Sequence, residues 1–157
     1  MASHFIEQAH VEPLINAVAD FAAGDVGSDI VNMKDHNRIV FVAHWGVGAT
    51  GIVKFTVQAC SNLSASATTA IAFKYRTLTA EAAPGAVTDA TASTGYSNSA
   101  GSNQVILVEV TAAAVNATGY QYVRLYCDET TDSPLLGGVL AIMLEPRFAE
   151  NETSVID

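Results

Sequence analysis

Positive charge is scarce in this sequence: seven Lys and Arg stand against sixteen Asp and Glu over 157 residues, a formal charge of −9. So few cations cannot neutralise many phosphates, which argues against nucleic acid or an anionic membrane surface as the main partner. Cysteine is limited to Cys60 and Cys127, too few for a disulfide framework. The longest apolar run, Leu135 to Leu144, is about half of the roughly 20 residues that a membrane-spanning helix needs. Met1-Ala2-Ser3-His4 has no basic region, and Glu7, Gln8, His10 and Glu12 interrupt any apolar leader. The expectation is a protein made in the cytoplasm, in which the glycosylation sequons at Asn62, Asn116 and Asn151 carry no weight.

Recognisable chemistry is also sparse. His4, His10, His36 and His44 have no metal-site spacing, and there is no Cys-x-x-Cys pair. His44 lies on an apolar strand beside Trp45 and reads as a hydrogen-bonded structural histidine. Cys60 and Cys127 each end a strand pattern and read as buried small hydrophobes. Asp128-Glu129-Thr130-Thr131-Asp132 lacks the glycine and spacing of a calcium loop and reads as a solvated turn. Gly46-Val47-Gly48-Ala49-Thr50-Gly51 resembles a phosphate loop only superficially. An alternating strand follows it rather than a helix, so a hairpin connection is expected. No Ser/His/Asp trio or carboxylate pair stands out. The sequence therefore gives no catalytic residue, no cofactor-binding residue and no metal ligand, and the expectation is a protein that is not an enzyme.

What is present is strand periodicity. Half of the residues are hydrophobic and only 15% are charged, the reverse of a disordered composition and enough for one compact domain. Val53, Phe55, Val57 and Ala59 alternate with Lys54, Thr56 and Gln58, as in a half-buried antiparallel strand. Ile71, Phe73 and Tyr75 alternate in the same way with Ala72, Lys74 and Arg76. Over 120–126, Val123 and Leu125 oppose a face of Tyr120, Tyr122, Arg124 and Tyr126. Three runs are apolar on both faces: Ile39 to Trp45, Val105 to Val110 and Leu135 to Leu144. Such strands are central, or their outer faces meet another subunit.

Leu14 to Phe21 and Asp29 to Met33 are weaker candidates. About eight short strands between turn clusters predict an all-β fold: a single-domain antiparallel β-sandwich, jelly-roll-like, with one short helical turn at Thr111 to Asn116. Thr111 is its candidate N-cap and Gly119 its stop. The expected organisation is an N-terminal arm at 1–12, the sandwich at 13–145 with a long loop at 79–103, and a C-terminal tail at 146–157. The loop is expected to be a surface excursion or to dock on a neighbour.

Several segments carry a resemblance: Phe5-Ile6-Glu7-Gln8-Ala9-His10-Val11, Gly46 to Gly51 leading into Val53-Lys54-Phe55-Thr56-Val57-Gln58-Ala59, Gly119-Tyr120-Gln121-Tyr122-Val123-Arg124-Leu125, and Ala141-Ile142-Met143-Leu144-Glu145-Pro146-Arg147-Phe148-Ala149. Together they resemble small virion structural proteins of tailed bacteriophages, of the head decoration or cement type. The resemblance implies a non-enzymatic protein on the capsid exterior that forms a homo-oligomer, a trimer or a dimer, and bridges subunits of the major capsid protein. No family motif assigns contact residues; the arms suggest Phe5 and Ile6 at one end and Arg147 and Phe148 at the other. Two other readings stand beside it. One is another virion subunit of tail-tube, head–tail joining or minor-coat type. The other is a glycan-binding sandwich using Tyr96 with Asn98 or Tyr120 with Tyr122.

Overall fold

A computed structural model describes residues 4–5, 9–48, 50–79 and 83–147. Its strands are β1 (His10–Val18), β2 (Val26–Gly27), β3 (Val31–Asn32), β4 (His36–Val47), β5 (Ile52–Cys60), β6 (Thr68–Ile71), β7 (Phe73–Thr79), β8 (Thr88–Ala90), β9 (Tyr96–Ser97), β10 (Gln104–Thr111), β11 (Tyr122–Thr131) and β12 (Leu136–Pro146), with one helix, α1 (Ala112–Asn116), between β10 and β11. The first sheet runs β1-β12-β4-β10-β7-β8. The second runs β2-β11-β5-β6, with β3 also on β11 and β9 also on β5. Every pairing is antiparallel. The two sheets pack as an all-β sandwich.

Pairing is nested. The first strand lies beside the last, β2 and β3 lie beside β11, β4 beside β10, and β5 beside β9. The core follows from alternation. Ile39, Phe41, Ala43 and Trp45 of β4 face Val53, Phe55, Val57 and Ala59 of β5, all fully buried. Trp45 sits between Phe21 and Phe55, with ring centroids 6.1 and 6.3 Å away. Its indole N–H, which would be costly to bury without a partner, donates to the Gly101 carbonyl at 3.0 Å. Each large apolar side chain removed from water here stabilises the fold by about 1.5–3 kcal/mol.

Several sequence expectations are refined. The weak candidate at 14–21 is β1, which begins at His10, so residues 10–12 belong to the sandwich rather than to an arm. The single strand expected at 71–77 is two, β6 and β7, because the chain changes sheets at Ala72. Alternation survives the crossing, which is why it read as one strand. The Gly46–Gly51 segment is not a hairpin: β4 and β5 lie in different sheets, so it arches over the end of the sandwich. The helical turn forms as expected, with the Thr111 hydroxyl accepting from the Ala114 N–H at 3.3 Å. Gly119 follows it with φ +84, a conformation that suits a residue without Cβ.

The expected long loop contains two short strands. Within it β8 adds to β7 and β9 adds to β5, so the segment crosses from one sheet to the other along a sandwich edge. Asn98 fixes the crossing. It is buried, its Oδ1 accepts from the Val53 N–H at 2.6 Å, and its Nδ2 donates to the carbonyls of Gly51 at 3.3 Å and Ser99 at 2.9 Å.

Candidate functional site

The three doubly apolar runs of the sequence become β4, β10 and β12, and they are adjacent in the first sheet. Their inner residues build the core. Their outer residues fall into cross-strand rows that the register defines. One row joins Val11, Ile142, Val40, Glu109 and Lys74; the next joins Pro13, Leu140, Val42, Leu107 and Arg76; a third joins Gly138, His44, Val105 and Leu78. The middle of this outer face is a contiguous aliphatic surface. Val11 is 50% exposed and Leu140 36%. Contiguous apolar patches beyond a few hundred Å² are uncommon on proteins that act alone.

The face carries a groove of about 510 Å³ along β12, edged by Pro13, Ile15, Val42, His44, Leu136 and Leu140. Its floor is Gly137-Gly138. A Cβ on Gly137 would lie 2.1 Å from the His44 carbonyl oxygen, and one on Gly138 would lie 2.7 Å from that of Ile15. The two glycines thus let β1 and β4 close tightly on β12, and the outer side is left hollow at Gly138, which shares the outward row with His44.

Charges sit at the rim of this face and are paired. Arg38 Nη2 lies 2.8 Å from Glu145 Oε1, and Arg38 Nη1 lies 3.6 Å from Glu109 Oε1. Lys74 Nζ donates to Asp89 Oδ1 at 2.6 Å. Exposed pairs of this kind add little to stability; here they neutralise the border of an apolar surface.

The outer face of the second sheet is different in kind. Lys54, Thr56 and Gln58 of β5 lie beside Tyr122, Arg124, Tyr126 and Asp128 of β11. Arg124 donates from Nε to Gln58 Oε1 at 2.8 Å, and its guanidinium carbon stands 5.3 Å from the centre of the Tyr126 ring. This is the tyrosine face read from the sequence, and Arg124 links Gln58 and Tyr126 across it.

The residues expected to carry contacts divide. Phe5 is exposed, at 59%, and its carbonyl accepts from the Ala9 N–H at 2.9 Å. Arg147 is tied to its own chain: its N–H donates to the Asp35 carbonyl at 2.8 Å and its Nε to Asn37 Oδ1 at 2.9 Å. Ile6 and Phe148 lie outside the described residues. The candidates for binding sugars are occupied too. Tyr96 stacks on Tyr75 with centroids 4.2 Å apart, and Asn98 is spent on backbone groups. Tyr120 packs against the core, while Tyr122 borders a shallow depression with Gln121 and Asn116.

His44 is not the structural histidine expected from its neighbours: it is exposed on the outer face of the first sheet, because alternation sends Trp45 inward. The fully buried polar-type histidine is His36, whose ring lies 6.3 Å from that of His10. Both cysteines are buried and free. Burial pushes the Cys127 thiol up to about 12, and it raises Cys60 as well, opposed by the nearby Arg124 charge. Neither thiol is poised as a nucleophile. Glu129 in the acidic stretch accepts from the N–H groups of Gly24 and Ser133. Among the described residues no three His, Cys, Asp or Glu side chains gather as a cation site.

No protein-family model and no curated protein sequence matches the chain.

Proposed function

We propose that this is a structural binding protein rather than an enzyme, and that it serves as a head decoration subunit of a tailed phage, on the capsid exterior. The observation that carries this reading is the contiguous apolar outer face built by β12, β4 and β10. A contiguous apolar surface gains free energy when it is covered, so it favours association as the protein's chemistry. The acidic balance of the chain favours an outer surface over one that faces DNA. The segments from Phe5 to Val11 and from Ala141 to Ala149 carry the resemblance to decoration proteins. The nested pairing of strands is the way a jelly roll is wound, and on it rests the jelly-roll reading of the sandwich.

The mechanism is linkage. A subunit that binds the assembled, expanded shell and not its free components stabilises that shell by mass action. An oligomer engaging several equivalent sites multiplies modest single contacts, so each contact with the major capsid protein needs little area. The test is co-sedimentation of the purified protein with expanded, empty tailed-phage heads stripped of their own decoration subunits. The expected result is saturable pelleting and a higher disruption temperature of the heads. Protein that stays in the supernatant with every head tried would overturn the reading.

A further inference from the structure

We infer that the outer face of the first sheet is the seat of a second copy of this chain, packed face to face about a two-fold axis. The inference rests on the association reading above and names the occupant of its apolar face. Two observations select a second copy.

The first is charge. The face and its rim hold Arg38, Lys74 and Arg76 against Glu109, Glu145 and Asp89, a balance of three and three. Among the described residues eight further acids and four further cations lie elsewhere. Among the described residues of a chain of charge −9 this is a neutral region, where two like-charged copies meet with least repulsion. A strongly basic partner would gain nothing here and would be drawn to the acidic remainder.

The second is area. From Arg38 to Gly46 the strands run about 27 Å, and five strands at about 4.8 Å spacing span about 24 Å. Two such faces cover about 1,300 Å² together, inside the range of stable interfaces. Sheets stack face to face at about 10 Å with their strands nearly aligned, so the product is a four-layer stack. In it Val42, Leu107, Leu140 and Ile142 of each copy leave water. The groove over Gly137-Gly138 then receives a side chain from the partner copy. A two-fold interface uses the same patch twice, which a self-neutral face permits.

The experiment is sedimentation velocity on the full chain from micromolar to submillimolar concentration. The wild type is expected as a dimer. Val42→Lys places two like charges in the interface and should weaken dimerisation about a hundredfold. Thr56→Lys, which adds the same charge to the outer face of the second sheet, should leave it unchanged. If Val42→Lys fails to melt cooperatively, His44→Asp, at an exposed position of the same face, takes its place.

A wild type that is monomeric throughout, a trimer, or a folded Val42→Lys or His44→Asp variant that associates like the wild type would overturn the inference. Equal dissociation by Thr56→Lys would overturn it as well. Pelleting with empty heads is read separately. A monomer that still pellets removes only the dimer face, and a dimer that never pellets removes only the decoration reading.

Discussion

The two outer faces of the sandwich start from the same alternation and end as opposites. On the first sheet the residues that turn away from the core are Val40, Val42, Leu107, Leu140 and Ile142. On the second they are Lys54, Thr56, Gln58, Arg124 and Tyr126. Both sheets bury the inner residues of their central strands, so those residues do not distinguish them. The difference lies in what each sheet offers to water. The second sheet's outer groups satisfy one another laterally, through Arg124, Gln58 and Tyr126. The aliphatic middle of the first sheet's outer face has no polar chemistry with which to do so; the ion pairs lie at its rim. A face of the second kind is finished within one molecule; a face of the first kind is completed by another.

That contrast can be broken or sharpened by measurement. It depends first on register, since a one-residue slip would exchange inner and outer residues. Phe55→Ala removes a fully buried ring from the inner face of β5 and should lower unfolding free energy by about 3–5 kcal/mol in denaturant titration. A loss under about 1 kcal/mol would mean that the pleat of β5 is inverted and that the two faces are misassigned.

The edge that joins the sheets comes next. Asn98→Ala leaves the Val53 N–H buried without its acceptor and should lower stability by about 1–3 kcal/mol. Amide exchange should quicken at Val53 and through β9. Unchanged exchange there would show that the crossing is held by something other than Asn98.

On the second sheet, Arg124→Ala removes the ring contact and the bond to Gln58 and should lower stability by about 1–2 kcal/mol, without changing oligomeric mass. A change in mass would mean that this face also meets a partner, and the contrast between the faces would fail. The smallest effect belongs to the rim of the first sheet. Lys74→Ala breaks an exposed pair with Asp89 and should alter the melting free energy by no more than about 0.5 kcal/mol. A larger loss would show that the rim pairs hold the fold rather than merely neutralise its border.

Much of this was legible in the sequence, for a reason particular to strands. Alternation assigns each residue to one face without reference to neighbours, so Val53, Phe55, Val57, Val123 and Leu125 were readable as core. The runs at 39–45, 105–110 and 135–144 were readable as strands with more apolar surface than one core uses. Alternation does not say which strands are neighbours. Nothing local places 39–45 between 105–110 and 135–144, so the single outer face they make together emerges only from the pairing.

The change of sheet at Ala72 was hidden because alternation continues through it. His44 misled because a histidine among valines looks buried until the neighbouring Trp45 is seen to take the inner side. The segment 79–103 looked like a loop because its strands β8 and β9 are very short and its order comes from one asparagine, a signal too small for periodicity. Of the contact residues expected in the arms, Phe5 is exposed and Arg147 binds its own Asp35 and Asn37.

The nested pairing sets a schedule for synthesis. β12 lies between β1 and β4, so the strand that leaves the ribosome after the other described strands is the one that joins β1 to the rest of the first sheet. Until then β1, made before the other described strands, has none of them beside it and β4 keeps an open edge. The first sheet therefore waits, with β1 and one edge of β4 uncovered, for β12, as expected of a topology with distant pairings. Crowding of nascent copies is the hazard of that interval, and rapid release of β12 is its remedy.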